Sequence, residues 1–123
     1  MSIGKKVLVI DDDELVLKTL GALLKKQGYD YRLADQGEVA LQYAKEIEFD
    51  IIFADIRMPK MNGVDAINFI QEQRKKDNKK DLPVIFITGY AEDSIHLKAE
   101  KFGEIIQKPF DLDRLMITMR EYL

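Results

Sequence analysis

Short, solidly apolar runs alternate along this chain with segments whose apolar residues recur every three or four positions. Residues 5–11 are rich in β-branched residues, with Val7-Leu8-Val9-Ile10 running into acid at Asp11, and predict a buried strand. Asp12 or Asp13 is placed to cap the following helix, in which Val16, Leu20, Leu23 and Leu24 share one face. Lys25-Lys26-Gln27-Gly28 supplies the basic residues and glycine that stop a helix. Residues 29–34 predict a weaker second strand. From Gln36 onward, Val39, Ala40, Tyr43, Ala44 and Ile47 mark a second amphipathic helix. The third strand, residues 50–55, carries the continuous apolar run Ile51-Ile52-Phe53-Ala54 up to Asp55, which predicts cover on both faces. Asn62-Gly63 opens a third helix carrying Val64, Ile67 and Ile70, and Leu82-Pro83 introduces a fourth strand over 84–88. Residues 93–102 predict a fourth helix on Ile95, Ala99 and Phe102. Ile105-Ile106-Gln107 reads as a short fifth strand ended by Lys108-Pro109. Asp111 then caps a last helix with Leu112, Leu115, Met116 and Met119 on one side.

Five strands alternating with five helices predict an α/β fold: a parallel sheet with right-handed crossovers and a helical layer on each face. A length of 123 residues suits a single domain, residues 1–123, with one sizeable core. If the sheet is that of a doubly wound (βα)5 three-layer sandwich with strand order 2-1-3-4-5, strands one and three are neighbours. In such open sheets ligands bind beyond the C-terminal strand ends, at the point where the strand order reverses.

Composition removes several function classes. The chain has no cysteine, which excludes thiol catalysis, disulfides and thiolate metal sites. The net charge of -3 exerts no general pull on nucleic acid. The one basic cluster, residues 74–80, has no interleaved aromatics to stack on bases and reads as a solvated helix end, so no direct nucleic-acid contact is expected. The longest apolar runs are too short to cross a bilayer, and no charged-then-apolar leader precedes them. The expectation is a cytoplasmic protein without membrane insertion. His96, the single histidine, lies in a polar segment and reads as a surface residue rather than a metal ligand.

The strand ends carry the chemistry. With order 2-1-3-4-5, Asp11, Asp12 and Asp55 converge at the switch point, with Thr88 and Lys108 on the neighbouring strand ends. Two like charges 4 Å apart cost on the order of 4 kcal/mol at an effective dielectric near 20, so a cation is expected among three carboxylates. Oxygen-only ligands in an open site suit Mg²⁺. Lys108 supplies a compact ammonium for a phosphoryl oxygen and Thr88 a hydroxyl donor. Metal, ammonium and hydroxyl around one aspartate describe phosphoryl transfer to a carboxylate nucleophile, Asp55.

Val9-Ile10-Asp11-Asp12-Asp13, the stretch Asp55-Ile56-Arg57-Met58-Pro59-Lys60-Met61-Asn62-Gly63, Ile87-Thr88-Gly89 and Lys108-Pro109-Phe110 together resemble the receiver domain of two-component response regulators, a flavodoxin-like fold. The resemblance spans the whole chain. It implies that Asp55 accepts a phosphoryl group from a phosphohistidine on a histidine kinase or histidine phosphotransfer protein. It implies that Asp12, Asp55 and the backbone carbonyl of Arg57 bind Mg²⁺, with Asp11 acting largely through metal-bound water, and that Thr88 and Lys108 contact the phosphoryl oxygens. It further implies a phosphorylation-driven shift of the face formed by helix four, strand five and helix five, and a Lys108–Pro109 bond that is often cis in relatives. Such a domain assists its own phosphorylation and dephosphorylation without being an enzyme in the ordinary sense.

Three features depart from the family pattern. The position three before Lys108, usually aromatic, is Ile105. The segment from Thr88 to Lys108 is about two residues short, and Gly103 sits late. Either the output face moves differently or Tyr90 takes over part of the aromatic role. The Tyr90 ring is also expected to screen an acyl phosphate at Asp55 from water. Two rival functions stand beside the phosphoacceptor: an aspartate-nucleophile phosphatase, and a phosphorylation-independent docking module. A stand-alone regulator and a receiver cut from a larger regulator or hybrid kinase both fit the sequence, and the downstream output partner is not legible in it.

Overall fold

Alternation within the strands decides the layering. In the computed structural model, which describes residues 4–89 and 93–123, the elements are β1 Lys6–Ile10, α1 Glu14–Lys26, β2 Asp30–Ala34, α2 Gly37–Glu46, β3 Ile51–Ala54, α3 Gly63–Lys76, β4 Val84–Thr88, α4 Asp93–Glu100, β5 Glu104–Gln107 and α5 Leu112–Tyr122. All strand pairings are parallel, and the sheet order is β2-β1-β3-β4-β5, as the resemblance implies. Successive residues of a strand point to opposite faces. Leu8, Ile10, Ile52, Ala54, Val84 and Phe86 therefore form one core with α2, α3 and α4. Val7, Val9, Ile51, Phe53, Ile85 and Ile87 form the other with α1 and α5. This two-faced burial is why the central strands read as solid apolar runs. Among the described residues, no helix is long and apolar enough to cross a membrane.

The helix boundaries follow the predicted caps with local differences. Asp13 caps α1 by accepting from the N–H groups of Leu15 and Val16. The buried face of α1 is Leu17, Leu20, Gly21 and Leu24, with Val16 and Leu23 packed at its flanks. The predicted stripe was thus rotated by about one residue, because Gly21 lets the helix settle on Leu33, whose Cδ1 lies 3.1 Å from where a Cβ would stand. Gln36 precedes α2 without a side-chain cap, and of the predicted apolar stripe only Ala40 is fully buried. In α4, which ends at Glu100 rather than at Phe102, Ala99 is buried. His96 is half-buried and pairs with Glu100 at 3.3 Å, one helical turn on.

The basic stretch 74–80 is a helix end, as the sequence suggests. Arg74 and Lys79 both bind Glu48, which precedes β3, and Arg74 Nε also donates to Lys80 O at 2.7 Å. The Arg74 hydrogen bond, and then that of Lys79, hold the Glu48 carboxyl below its ordinary pKa. Glu48 is largely exposed, so Glu48→Gln is expected to cost less than about 1 kcal/mol in urea unfolding. A loss well above that would mean that the pair carries the α3 terminus.

Candidate phosphoryl-transfer site

The carboxyl ends of β1 and β3 lie side by side, since Ile10 and Ala54 are register partners. The next residue of each strand is an aspartate, and both are buried, Asp11 at 2 % and Asp55 at 5 % exposure. Each uses the same local device. Asp11 Oδ1 accepts from Asp13 N–H at 2.8 Å, and Asp55 Oδ1 accepts from Arg57 N–H at 3.3 Å. These are Asx turns, in which the side chain holds the backbone two residues on. The second oxygens face a common cation: Lys108 Nζ lies 2.9 Å from Asp11 Oδ2 and 3.4 Å from Asp55 Oδ2. Asp12, exposed, completes a group of three carboxylates with one oxygen each within 4.8 Å of the others.

Lys108 is brought there by β5. Thr88 pairs with Gln107 in the sheet, and Lys108 N–H donates to Thr88 O at 2.8 Å, so the two chains leave the sheet together. The Lys108–Pro109 peptide is cis, as the resemblance implies. Thr88 itself is buried at the last position of β4. The structure therefore gathers the side chains of Asp11, Asp12, Asp55 and Lys108, with Thr88 and Arg57 attached through the backbone. Tyr90 lies outside the described residues, and the roles expected of it are not addressed by the structure. Ile105 is half-buried on the core face that holds Ala99 and Phe102, so no aromatic occupies that position.

The electrostatics are unbalanced. Burial, and then the charge of Asp11, push the Asp55 pKa up from 3.8 to about 6, against the pull of Lys108 and the Arg57 N–H. Burial alone would lower Lys108, but the Asp11 hydrogen bond and charge, and then Asp55, hold it above its ordinary 10.5. One ammonium against three carboxylates leaves net negative charge in a partly desolvated place. A hard divalent cation with oxygen ligands fits that donor set.

Two residues that sequence reasoning passed over shape the site. Asp13 was expected only as a cap, yet its N–H also fixes Asp11; the signal was the acidic triplet Asp11-Asp12-Asp13. Gly63 was read only as a helix start. A Cβ there would stand 1.9 Å from Asp55 O, so only glycine lets α3 begin this close to the aspartate. No sequence signal separates that role from a plain helix opening.

The family model described as response regulator receiver domain matches residues 7–120. Among curated proteins, the chain is 33% identical over 125 residues to the regulatory protein AtoC of Escherichia coli (strain K12), covering 100% of this chain and 26% of that protein. It is 35% identical over 119 residues to the transcriptional regulatory protein ZraR of Klebsiella oxytoca, covering 95% of this chain and again 26% of the relative. The chain thus spans about a quarter of the length of these relatives. Among solved structures, the response regulator protein TrrA of Thermotoga maritima, in complex with Mg²⁺-BeF, superposes with a TM-score of 0.83 at 28% identity, covering 97% of this chain and 99% of that one.

Proposed function

The chain belongs to the response regulator receiver domain family, and from that premise we propose that Asp55 is its phosphoacceptor, with residues 1–123 acting as one cytoplasmic receiver unit. The donor is a phosphohistidine on a histidine kinase or histidine phosphotransfer protein. The observation that carries this reading is the convergence on Asp55: a buried carboxylate 3.4 Å from Lys108 Nζ, grouped with Asp11 and Asp12.

Transfer exchanges one P–N bond for one P–O bond. An Asp55 carboxylate oxygen attacks phosphorus, and the imidazole leaves with the electron pair of the broken bond and takes up a proton. The attack needs the ionised carboxylate, which Lys108 favours. Burial and Asp11 oppose it, so the pocket is poised for a further positive charge. Asp12, Asp55 and the Arg57 carbonyl would hold Mg²⁺, with Asp11 in the outer shell. When bound, Mg²⁺ supplies positive charge to the phosphoryl oxygens, the chief electrostatic need of this reaction. Lys108 contributes a second positive charge to those oxygens, and the Thr88 hydroxyl a hydrogen bond. By holding the same charges, these groups assist both arrival and later hydrolysis of the phosphoryl group.

Phosphorylation adds about -1.5 to -2 charge and three acceptor oxygens beside Thr88 and Lys108. Both residues lead directly into the α4–β5–α5 face, where Leu97 and Ile117 stand exposed at 62% and 57%. That face is the proposed output surface. A phosphatase would want an acid/base carboxylate close after Asp55; Arg57 stands there instead and donates its N–H to Asp55. A pure docking module has no use for a charge cluster this costly to bury.

The test is to incubate the protein with Mg²⁺ and an acyl-phosphate donor and follow intact mass. Wild type should gain one phosphoryl group and Asp55→Asn none. Equal gain in both, or gain unaffected by EDTA, would remove Asp55 or the metal from the reading.

A further inference from the structure

The loop that carries Arg57, residues 55–62 between β3 and α3, is folded tightly on itself. Lys60 sits at φ 68, a left-handed conformation that a residue with a side chain keeps only when its surroundings impose it. Met61 N–H donates to Pro59 O, and Gly63 N–H to Ile56 O, each at 2.8 Å. These bonds close the loop upon itself, and Ile56 and Met58 seat its start in the core, while its crest at Lys60 and Met61 lies beyond those anchors.

The crest meets the first turn of α2. At Gly37, a Cβ would stand 2.8 Å from Met61 Sδ, 3.1 Å from its Cγ and 3.2 Å from its Cβ. A Cβ at position 37 would therefore make Met61 move: its Sδ would swing aside, and its Cγ and Cβ would give by a few tenths of an ångström. Gly37 is buried, and the glycines at positive φ among the described residues are Gly4 and Gly28, so no left-handed backbone calls for glycine at 37. Helix propensity also disfavours it. The contact that a side chain at 37 would disturb is the one with Met61.

We infer that Gly37 and Met61 form a latch through which α2 sets the position of the β3–α3 loop, and with it the Arg57 carbonyl offered to the metal. The inference rests on the reading above, in which that carbonyl is a ligand. Both are positioning residues and neither touches the metal. Mg²⁺ demands near-ideal octahedral geometry at short distances, so a displaced ligand is felt strongly. Groups that orient ligands commonly change metal affinity about tenfold or more.

The experiment is calorimetric titration with Mg²⁺ of wild type, Gly37→Ala, Met61→Ala, Met61→Leu and the Gly37→Ala/Met61→Ala double variant, with thermal unfolding of each in EDTA. Gly37→Ala should bind Mg²⁺ about tenfold more weakly. Its unfolding midpoint should stay near that of wild type, because the flexible Met61 side chain gives way and position 37 is the first residue of α2. In the Met61→Ala background the same change should have no further effect, since Sδ and Cγ are gone and only the 3.2 Å contact remains. Met61→Leu should stay closer to wild type than Met61→Ala, an arm that stands even if Gly37→Ala fails to fold. Wild-type affinity in Gly37→Ala or in Met61→Ala, or effects that simply add, overturns the latch. A wild type that binds no Mg²⁺ overturns the metal reading, and the latch with it.

Discussion

Asp55→Asn should make the metal-free protein more stable at pH 7, by at most about 3 kcal/mol, and the gain should fade as pH falls from about 6 to 3.8. The direction follows from the raised pKa. A carboxyl displaced from 3.8 to about 6 binds its proton more tightly when folded than when unfolded. Its favourable contribution is complete below the unfolded value and is lost as pH rises through about 6. At pH 7 wild type therefore carries an ionised carboxylate that burial and Asp11 both oppose. Asparagine removes that charge and leaves Lys108 on Asp11 at 2.9 Å. At pH 4 the native Asp55 is already neutral, so the substitution changes little. Urea unfolding in EDTA at both pH values measures the difference. An equal gain at pH 4 and pH 7 would remove the electrostatic explanation. Saturating Mg²⁺ should shrink the gain at pH 7, because a ligand bound only by the folded state stabilises wild type.

The second large effect belongs to Gly63. Its absent Cβ would fall 1.9 Å from Asp55 O, 2.8 Å from Asp55 C and 3.2 Å from Ile56 Cα, all backbone atoms with no rotamer to turn away. Gly63→Ala must therefore push the start of α3 off β3, at about 3 kcal/mol or more. Mg²⁺ binding and phosphoryl uptake should go with it, because the displaced segment carries the Arg57 loop. Gly103 offers a matched control. A Cβ there would stand 2.0 Å from Val84 O, an equally hard clash at the opposite end of the sheet. Gly103→Ala should lose similar stability in urea while its folded fraction still binds Mg²⁺ as wild type does. Equal loss of metal binding in both variants would mean that the Gly63 effect is merely global.

Gly103 also bears on the late glycine noted in the sequence. Its place is set by the approach of the chain to Val84 as β5 enters the sheet beside β4, with Ile85 and Glu104 in register. Glycine at 103 is thus a requirement of the sheet edge. Ile105 packs, half-buried, on the core face shared by Ala99 and Phe102.

Element order and the five strand ends were legible because solid apolar runs and capped helical stripes mark them, while the strand order 2-1-3-4-5 entered as a condition and with the family resemblance. Asp11, Asp12, Asp55, Thr88 and Lys108 followed from that legibility, since in a doubly wound sheet the C-terminal strand ends form one edge. Periodicity was weaker at α1, where Leu17 rather than Val16 faces the sheet, because helical phase is settled by the partner surface. What only the tertiary structure decided are distances between segments far apart in the chain. Examples are Lys108 spanning two carboxylates, Asp11 buried while Asp12 is exposed, Gly63 against Asp55 O and Gly37 against Met61. A linear pattern encodes which face a residue takes. How closely two backbones approach, and how far a carboxylate is desolvated, depend on the packing of the whole molecule.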